Sequence, residues 1–548
     1  MRSRSDAARW LPFLRWPRPS PALLRSEMLA GLTVGLMVVP QGVAYAALAG
    51  MPLVTGIYAS LLPALVAVLF SASTRLSVGP TALSCLVIQA SLTGLAMPGS
   101  AQWVALAAWL ALLSGALQLL LGLARCGWLL NLVSAPVLMA FTQAAALLII
   151  GSQIGPLLGR GTDGQVDVAA LALGLGALLL LVLARRWWPK FPTILVVVLA
   201  SAAISAGMGL EARGTAVVGA LPGGLPALGW PPLPTTGQLQ ALLVPSLVIA
   251  LISFLETASS AQIDHADRHS IWDQDQDLIG QGLGKIAAGL STGFPTSASF
   301  SRSALNLYAG ARSGWATLFS VLVLALSLWA AMPLLRPVPQ SVLAAVVLVA
   351  VVGLVQPLAF VRLWRLSRAE AVIAVLSFAA TLASAPALHL GVGLGLGLSL
   401  AWSLWQRLHP RVVEVGLHAD GSLRDRVQWK LPALAPHTLA LRMDAALDFT
   451  SSAFLERCVA DHLGAAPGTH TLCLFAQSIN RIDATGLAAL QRLSTQCRHG
   501  GVGLHLAGLK RPVEEALQRA GLLDGLQLHR TEAQACARLR AQGQSGLG

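Results

Sequence analysis

Apolar stretches long enough to cross a lipid bilayer recur along most of this chain. Windows of about 20 apolar residues, the length that a membrane helix needs, follow one another between Met28 and Leu408 and divide into about fourteen segments. The Pro-rich stretch 221–234 separates two halves of about seven segments each. Because an odd number of segments per half reverses the direction of the chain, we expect an inverted repeat.

One segment in each half is interrupted by residues that break a helix. The sequence is RLSVGPTALS at 75–84 and FPTSASFSRS at 294–303. Within a bilayer, broken backbone is tolerated only where protein buries it or a cavity hydrates it. A half-helix that begins at such a break points free N–H groups and a positive dipole end at whatever it faces. The paired breaks therefore predict a binding site for an anion.

The pattern changes after Pro410 to that of a soluble domain. Short apolar runs at 438–441, 471–475 and 502–507 predict buried strands, and amphipathic runs at 450–463, 484–498, 511–520 and 531–541 predict helices. This alternation predicts a small α/β domain. The predicted organisation is an N-terminal segment 1–27, a transmembrane domain 28–409 with repeats at about 28–209 and 239–409, a linker 410–436 and a C-terminal domain 437–545.

Composition and charge agree with a polytopic membrane protein. Charged residues make up 11% of the chain and hydrophobic residues 55%, whereas soluble proteins contain about 25% charged residues. With the N-terminus inside, the cytoplasmic connections carry Arg75, Arg125, Arg185, Arg186, Lys190, Arg268, Arg312, Arg362, Arg365, Arg368 and Arg407. The outer connections carry Arg160, Arg213 and Arg336. This asymmetry predicts a multi-pass protein of the inner (plasma) membrane with both termini in the cytoplasm.

The positive net charge does not indicate nucleic acid, because the Lys and Arg residues lie at the ends of apolar segments rather than in a patch with interleaved aromatic residues. The six cysteines lack CxxC spacing, which argues against a zinc site and a disulfide framework. We therefore expect no metal and no cofactor.

Several short motifs resemble one family of transporters. They are VPQGVAYA at 39–46, LSVGP at 76–80, and GFP with SFSRS between 293 and 303; IDATGL at 482–487 and LAG at 506–508 resemble a STAS domain. On these motifs the chain resembles the SulP (sulfate permease) family of anion transporters over nearly its whole length. The resemblance implies seven-plus-seven inverted repeats, a core domain (segments one to four and eight to eleven), a gate domain, elevator-type alternating access and a homodimer.

The candidate anion site combines the two half-helix starts with nearby polar and aromatic side chains. Its expected members are Gln41, Tyr45, Thr81, Ser299, Phe300, Ser301 and Arg302. Neutral donors of this kind let an anion bind and leave, whereas several cations would trap it. Tyr45 and Phe300 are expected to wall the site, although ordinary core packing explains each of them equally well.

Glu256 is a lone carboxylate within the eighth segment, where an unpaired charge costs at least a few kcal/mol. We expect Arg302 to be its partner, either in a proton-linked pair at the substrate site or in a structural salt bridge. Protonation of Glu256 would remove its repulsion of the anion and free the arginine, so proton and anion would bind cooperatively. Sodium-coupled bicarbonate carriers of the family instead surround such a carboxylate with oxygens, which Thr257, Ser259 and Ser260 could supply. Protons are preferred because Arg302 nearby disfavours sodium.

Four further features each have two interpretations. Lys285 is expected to snorkel to the membrane interface rather than to act on substrate. The cluster after segment eight is expected to be a solvated connector rather than a metal site; it comprises His265, Asp267, His269, Asp273, Asp275 and Asp277. The run GVGLGLG at 391–397 favours close helix packing over a dinucleotide loop. Asp483 and Thr485 favour helix capping, and regulation at Thr485 is the alternative, since related bacterial regulators carry a phosphorylated serine there.

The sequence thus predicts a proton-coupled secondary transporter of small anions, sulfate first, and not an enzyme. The alternatives are a sodium-coupled bicarbonate or proton-coupled dicarboxylate transporter, an anion channel, and a sensor that signals through the STAS domain. The expected partners are the small anion, the lipid bilayer, a second copy of the chain and a cytosolic protein that binds the STAS domain, with protons or sodium as coupling ion.

Overall fold

The computed structural model describes residues 11–132, 134–159, 166–187, 193–330, 332–385, 388–523 and 526–545. They form two compact units, one that ends at Ser399 and one that begins at Leu400. The boundary falls within the helix His389–Leu408: the described residues up to that helix form a helical unit with two short strands, and those after it form an α/β domain. The predicted fold class, a polytopic helical membrane domain followed by a STAS-like α/β domain, is confirmed.

The helical unit consists of two series of helices. The first series is α1 Pro21–Leu48, α2 Thr55–Tyr58, α3 Leu62–Phe70, β1 Val78–Gly79, α4 Ala82–Leu92, α5 Ala101–Leu123, α6 Ala135–Leu157, α7 Val168–Trp187 and α8 Thr193–Met208. The second series is α9 Thr236–Arg268, α10 Gln274–Leu290, β2 Ser297–Ala298, α11 Phe300–Tyr308, α12 Trp315–Ala330, α13 Met332–Leu335, α14 Gln340–Val352, α15 Pro357–Leu366, α16 Arg368–Ala383 and α17 His389–Leu408. If α2 and α3 count as one segment, and α13 to α15 as another, each series contains seven segments.

Five stretches of described helix are long and apolar enough to cross a membrane, judged by length and composition alone. They are Pro21–Leu48, Ala101–Leu123, Ala135–Leu157, Thr236–Arg268 and Gln340–Leu366. Shorter apolar helices include α4, α7, α8 and α12. The shortness of α4 and α11 follows from the sequence, because Gly79, Pro80 and Pro295 prevent a continuous helix through either break.

Glycines allow several helices of the helical unit to pack closely. A Cβ atom at Gly282 of α10 would lie 2.7 Å from the backbone nitrogen of Leu119 in α5, and one at Gly56 of α2 would lie 1.9 Å from the carbonyl oxygen of Gly42 in α1. Small residues at such crossings let backbones approach in a membrane domain. In α17, Gly391 and Gly395 likewise pack against Thr381 and Ser377 of α16. The 391–397 run is thus helical, as the packing interpretation predicted.

The C-terminal unit has a six-stranded sheet with the order β4-β3-β5-β6-β7-β8. Its elements are β3 Val412–Leu417, β4 Leu423–Asp425, β5 Thr438–Met443, α18 Ser452–Ala465, β6 Thr471–Phe475, α19 Ala484–His499, β7 Gly503–Ala507, α20 Arg511–Arg519, β8 Gln527–His529 and α21 Glu532–Ser545. Strands β5 to β8 are parallel, whereas β3 is antiparallel to β5 and β4 to β3. Each predicted strand and helix of this domain is present.

The predicted linker at 410–436 is wrong for the residues that form β3 and β4. Val412, Val413 and Glu414 pair with Met443, Arg442 and Leu441 of β5, so the sheet begins about 25 residues earlier than the sequence suggested. These strands were missed because charged residues interrupt their apolar pattern. Glu414 of β3, for example, forms an ion pair with Arg426, which directly follows β4. Strand β8 was missed because it is only three residues long.

Candidate anion-binding site

A two-stranded sheet brings the two interrupted segments together. Val78 pairs with Ala298 and Gly79 with Ser297 in antiparallel register. The backbone nitrogen of Ser299 also donates to the carbonyl of Ser77 at 2.9 Å. Because a half-helix follows each strand, the pairing places the start of α4 and the start of α11 close to each other. Residues more than 200 positions apart in the chain therefore meet at one point, as the paired breaks predicted.

The first turns of α4 and α11 differ in how they are capped. The N-cap of α4 is Thr81, whose hydroxyl accepts a hydrogen bond from the backbone nitrogen of Ser84 at 3.4 Å. The N-cap of α11 is Ser299, which forms no side-chain capping bond. The first N–H groups of a helix have no partner within the helix. The uncapped start of α11 therefore keeps backbone donors available for a ligand.

Arg302 lies in the first turn of α11 and is 1% exposed. Its Nη1 donates to the carbonyl oxygen of Pro80 at 2.9 Å and to Oε1 of Gln41 at 3.5 Å, and its Nε donates to the hydroxyl of Ser77 at 3.4 Å. Its Nη2 is buried without a hydrogen-bond partner among the described residues. These acceptors are neutral, so none of them compensates the positive charge of the guanidinium, and one nitrogen remains to bind an acceptor.

Gln41 and Tyr45 lie beside Arg302 on α1. Both are buried, and Nε2 of Gln41 donates to the hydroxyl of Tyr45 at 3.3 Å. The two side chains are four residues apart and therefore share one face of the helix. The close contact of Gly42 with Gly56 holds this part of α1 against α2. The structure thus brings Gln41, Tyr45, Thr81 and Arg302 together.

The three residues at the start of α11 differ in exposure. Ser299 is buried at 9% exposure, whereas Phe300 is 54% exposed and Ser301 is also exposed. The hydroxyls of Ser299 and Ser301 lie 3.5 Å apart. Phe300 and Ser301 therefore lie on the exposed side of this helix start, whereas Ser299 and Arg302 lie on its buried side.

Glu256 does not pair with Arg302, so this prediction is wrong. Its Oε2 instead accepts a hydrogen bond from the hydroxyl of Thr81 at 3.0 Å, and no ion pair joins Glu256 to Arg302 within the described part of the chain. The guanidinium is instead held by acceptors of α1 and of the segment before α4. Glu256 therefore contacts the N-cap of one half-helix, while Arg302 belongs to the other.

Lys285 does not extend to the membrane interface, and that prediction is also wrong. Its side chain has no exposed surface, and Nζ donates to Oε1 of Gln118 at 2.9 Å. Gly115 of α5 packs against the Cβ of Lys285, which directs the side chain into the interior between α5 and α10. Gln118 is a polar residue within an apolar helix, and that pattern is the signal by which sequence reasoning could have found the pair.

The acidic and histidine cluster after segment eight is only partly solvated: Asp267, His269 and Asp273 are exposed, as predicted, whereas His265 and Asp277 belong to a buried network. Asp264 is buried and forms ion pairs with Arg75 and with Arg268. Asp277 is buried and accepts hydrogen bonds from the backbone and hydroxyl of Ser73, the latter at 2.5 Å. The prediction is wrong for His265 and Asp277, because α9 continues to Arg268 and α10 begins at Gln274, so both residues lie within helices.

In the part of the chain that the structure describes, no group of three His, Cys, Asp or Glu side chains could hold a metal ion. The network instead ties the loop before the first break to α9 and α10: Nε2 of His265 lies 3.1 Å from the hydroxyl of Ser73, and Asn306 of α11 donates to the carbonyl of Arg75 at 2.8 Å.

Ser77, Pro80 and Ser303 also belong to the site, although sequence reasoning assigned them no separate role. The backbone nitrogen of Ser77 donates to the hydroxyl of Ser303 at 3.0 Å, which adds a bond between the two breaks.

In the C-terminal unit, Asp483 caps α19 by accepting from the backbone nitrogen of Gly486 at 2.8 Å. Thr485 is exposed in the first turn of that helix.

The two units of the chain match known protein families. The Sulfate permease family model matches residues 24–377, and the STAS domain model matches residues 433–535. The chain is 33% identical over 522 residues to "Probable sulfate transporter Rv1739c" of Mycobacterium tuberculosis, covering 91% of this chain and 92% of that protein. It is 30% identical over 580 residues to solute carrier family 26 member 10 of Mus musculus, covering 96% and 84%.

Two solved structures show the same fold. The murine Slc26a9 anion transporter in the inward-facing state matches 98% of this chain and 95% of its own at a TM-score of 0.88 and 21% identity. The transmembrane domain of the cyanobacterial bicarbonate transporter BicA matches 70% of this chain and 99% of its own at a TM-score of 0.58 and 21% identity. The family match, the paired half-helices and the C-terminal sheet together establish that this chain belongs to the sulfate permease family of multi-pass membrane anion transporters and carries a C-terminal STAS domain.

Proposed function

We propose that the chain is a secondary active transporter whose substrate is a small oxyanion, with sulfate as the leading candidate. The observation that carries this proposal is the unpartnered Nη2 of buried Arg302 beside the uncapped start of α11. A charged donor and free backbone N–H groups in the first turn of the same helix suit an oxyanion with several acceptor oxygens. Proteins related to this chain are named as sulfate transporters, which favours sulfate among such anions.

The binding site combines one cation with neutral donors. Arg302 supplies the positive charge and contacts the Gln41 amide, and Thr81, Ser299 and Ser301 supply hydroxyl groups at the two half-helix starts. One cation and several neutral donors bind an anion strongly enough to select it and weakly enough to release it. Phe300 and Tyr45 would border the anion.

Proton coupling is the favoured source of energy. Glu256 shares the start of α4 with the proposed anion site through its hydrogen bond with Thr81. An ionised carboxylate there repels the anion, and a protonated one does not, so each ligand would promote binding of the other. In this proposal the core helices carry the site past the gate helices in an elevator-type motion. The transporter would work as a homodimer in the inner membrane with both termini in the cytoplasm.

A bicarbonate carrier is the second candidate, because the transmembrane fold is shared with the bicarbonate transporter BicA. Uptake measurements also distinguish the further alternatives, which are a dicarboxylate carrier, a sodium-coupled carrier, a passive channel and a STAS-linked sensor. Thr485 remains a candidate for regulation through a cytosolic partner, because its hydroxyl is exposed at a helix start.

Uptake into proteoliposomes tests the proposal. Purified protein is reconstituted, and uptake of labelled sulfate, succinate and bicarbonate is measured under imposed proton or sodium gradients. We expect sulfate to accumulate against its gradient when protons flow inward, and Glu256→Gln to retain sulfate exchange but lose accumulation. Accumulation driven by sodium, or sulfate flux that only follows the membrane potential, would contradict the proton-coupled mechanism. Preferential uptake of bicarbonate or succinate would show that sulfate is not the main substrate.

A further inference from the structure

A second cation is buried in the core helices near the candidate site. Lys285 donates to Oε1 of Gln118, and Nε2 of the same amide donates to the carbonyl of Ala250 at 2.7 Å and to the hydroxyl of Ser253 at 2.9 Å. These two acceptors fix the orientation of the amide, because its nitrogen must face α9. Its oxygen is thereby presented to Lys285. The amide thus connects the lysine of α10 to the middle of α9.

A buried ammonium group needs a counter-charge as well as a hydrogen bond. An amide oxygen supplies only a dipole, and an uncompensated charge in a protein interior costs several kcal/mol. Glu256 is the carboxylate that interacts electrostatically with Lys285. It follows Ser253 by three residues on α9, so the two side chains share one face of that helix. The bridge through Gln118 therefore ends one helical turn from Glu256.

Arg302 is less suited to balance Glu256, although the two interact electrostatically. Its guanidinium is held by Pro80, Ser77 and Gln41, and its remaining nitrogen has no partner among the described residues. Two cations and one carboxylate therefore occupy this interior. If Lys285 balances Glu256, the charge of Arg302 is left over for an incoming anion.

We propose that Lys285 is the counter-ion of Glu256 and determines how tightly Glu256 holds a proton. The inference rests on the proposed proton-coupled function. With Glu256 ionised, the pair carries no net charge and only Arg302 attracts the anion. When a proton from water binds a Glu256 oxygen, the pair becomes positive and attracts the anion further. A lysine at this place also repels a metal cation such as sodium, which leaves the proton as the ion that Glu256 takes up.

An infrared titration of the full-length protein in lipid tests this directly. The C=O stretch of a protonated carboxyl group is followed against pH, and the Glu256 band is identified by its loss in Glu256→Gln. In Lys285→Gln, which keeps a donor for Gln118 but removes the charge, we expect the titration midpoint to rise by about one to three pH units, because the ionised carboxylate loses its counter-ion. In Lys285→Arg we expect the midpoint to stay near that of the wild type.

The comparison is specific to Lys285 because the other titratable groups around Glu256 are unchanged. They are Tyr45 of α1, Cys85 of α4 and Arg302 of α11. An unchanged midpoint in Lys285→Gln, or an equal rise in Lys285→Arg, would overturn the proposal. The titration involves no transport, so it stands even if uptake turns out to be independent of proton gradients. Conversely, proton-driven uptake with an unshifted midpoint would leave the proposed function intact and remove only the role of Lys285.

A double variant keeps the test decisive if Lys285→Gln inserts poorly. Removal of one member of a buried pair leaves an unpaired charge, whereas removal of both does not. We therefore expect Glu256→Gln combined with Lys285→Gln to restore the yield of monodisperse protein relative to Lys285→Gln alone. The absence of restoration would show that Lys285 acts without Glu256 and would overturn the pairing.

Discussion

Replacement of Arg302 by glutamine should weaken sulfate binding strongly without a comparable effect elsewhere in the chain. The buried Nη2 has no partner among the described residues and is the group expected to bind the anion. A hydrogen bond to a charged group contributes about 1.5–3 kcal/mol, which corresponds to a roughly 10- to 150-fold rise in the apparent sulfate KM. The sulfate KM of Arg302→Lys should lie between those of the wild type and Arg302→Gln, because an ammonium keeps the charge but lacks the planar guanidinium geometry.

The same substitution also has a structural cost that the assay must separate. Loss of the guanidinium removes the hydrogen bond to the Pro80 carbonyl, and an unsatisfied buried acceptor costs about 1–3 kcal/mol. Insertion and monodispersity are therefore measured by size-exclusion chromatography beside each uptake curve. Sulfate exchange at equal concentrations on both sides isolates binding from the driving force, because no net gradient is needed.

Arg312→Gln is the matched control. It removes the same charge ten residues later, from an exposed side chain outside the paired half-helices, and we expect its KM to stay within about twofold of the wild type. If a well-inserted Arg302→Gln protein exchanges sulfate with the wild-type KM, Arg302 does not bind the anion and the assigned site is wrong. An equal rise in KM in Arg312→Gln would show that general surface charge, and not the site, controls sulfate entry.

Three other predictions concern packing and the C-terminal unit. Gly56→Ala should lower the thermal stability of the membrane unit by about 1–3 kcal/mol, because its Cβ would lie 1.9 Å from the Gly42 oxygen; Gly207→Ala, which points into open space, is the control, and equal melting temperatures would contradict the packing argument. Burial, with His529 and Arg538 nearby, lowers the pKa of His505 from 6.5 to about 4. The folded unit therefore favours the neutral imidazole. Its free energy of unfolding is highest above pH 6.5 and falls by about 3 kcal/mol as the pH drops to 4. Urea unfolding of the isolated unit from residue 409 onward should show this slope, His505→Phe should flatten it, and a flat wild-type profile would refute it. Truncation after Leu408 should give monodisperse protein with an unchanged substrate profile, whereas truncation after Pro436 should aggregate because β3 keeps an edge that β5 normally covers; equal elution profiles for the two proteins would contradict this.

Local sequence signals were sufficient for much of this protein. Apolar windows, the breaks at Gly79-Pro80 and Pro295, and the alternating strands and helices after residue 437 each predict structure from neighbouring residues alone. The structure confirms these elements because each depends on backbone preferences and on burial in a bilayer or a sheet. The sequence also predicts an anion site at the two half-helix starts, since both breaks carry the polar residues that such a start requires.

The partners of the charged side chains were decided by the tertiary structure. Arg302 meets Pro80 across 222 positions of the chain, and Lys285 meets Gln118 across 167, so no local pattern could identify either contact. The sequence showed only that a buried charge needs a partner. By that criterion, Arg302 and Lys285 are equally good partners for Glu256. The tertiary structure supplied the observed contacts, which are Pro80 for Arg302 and Gln118 for Lys285. For the same reason, residues 412–425 read as a linker until β5 provides the strand with which they pair.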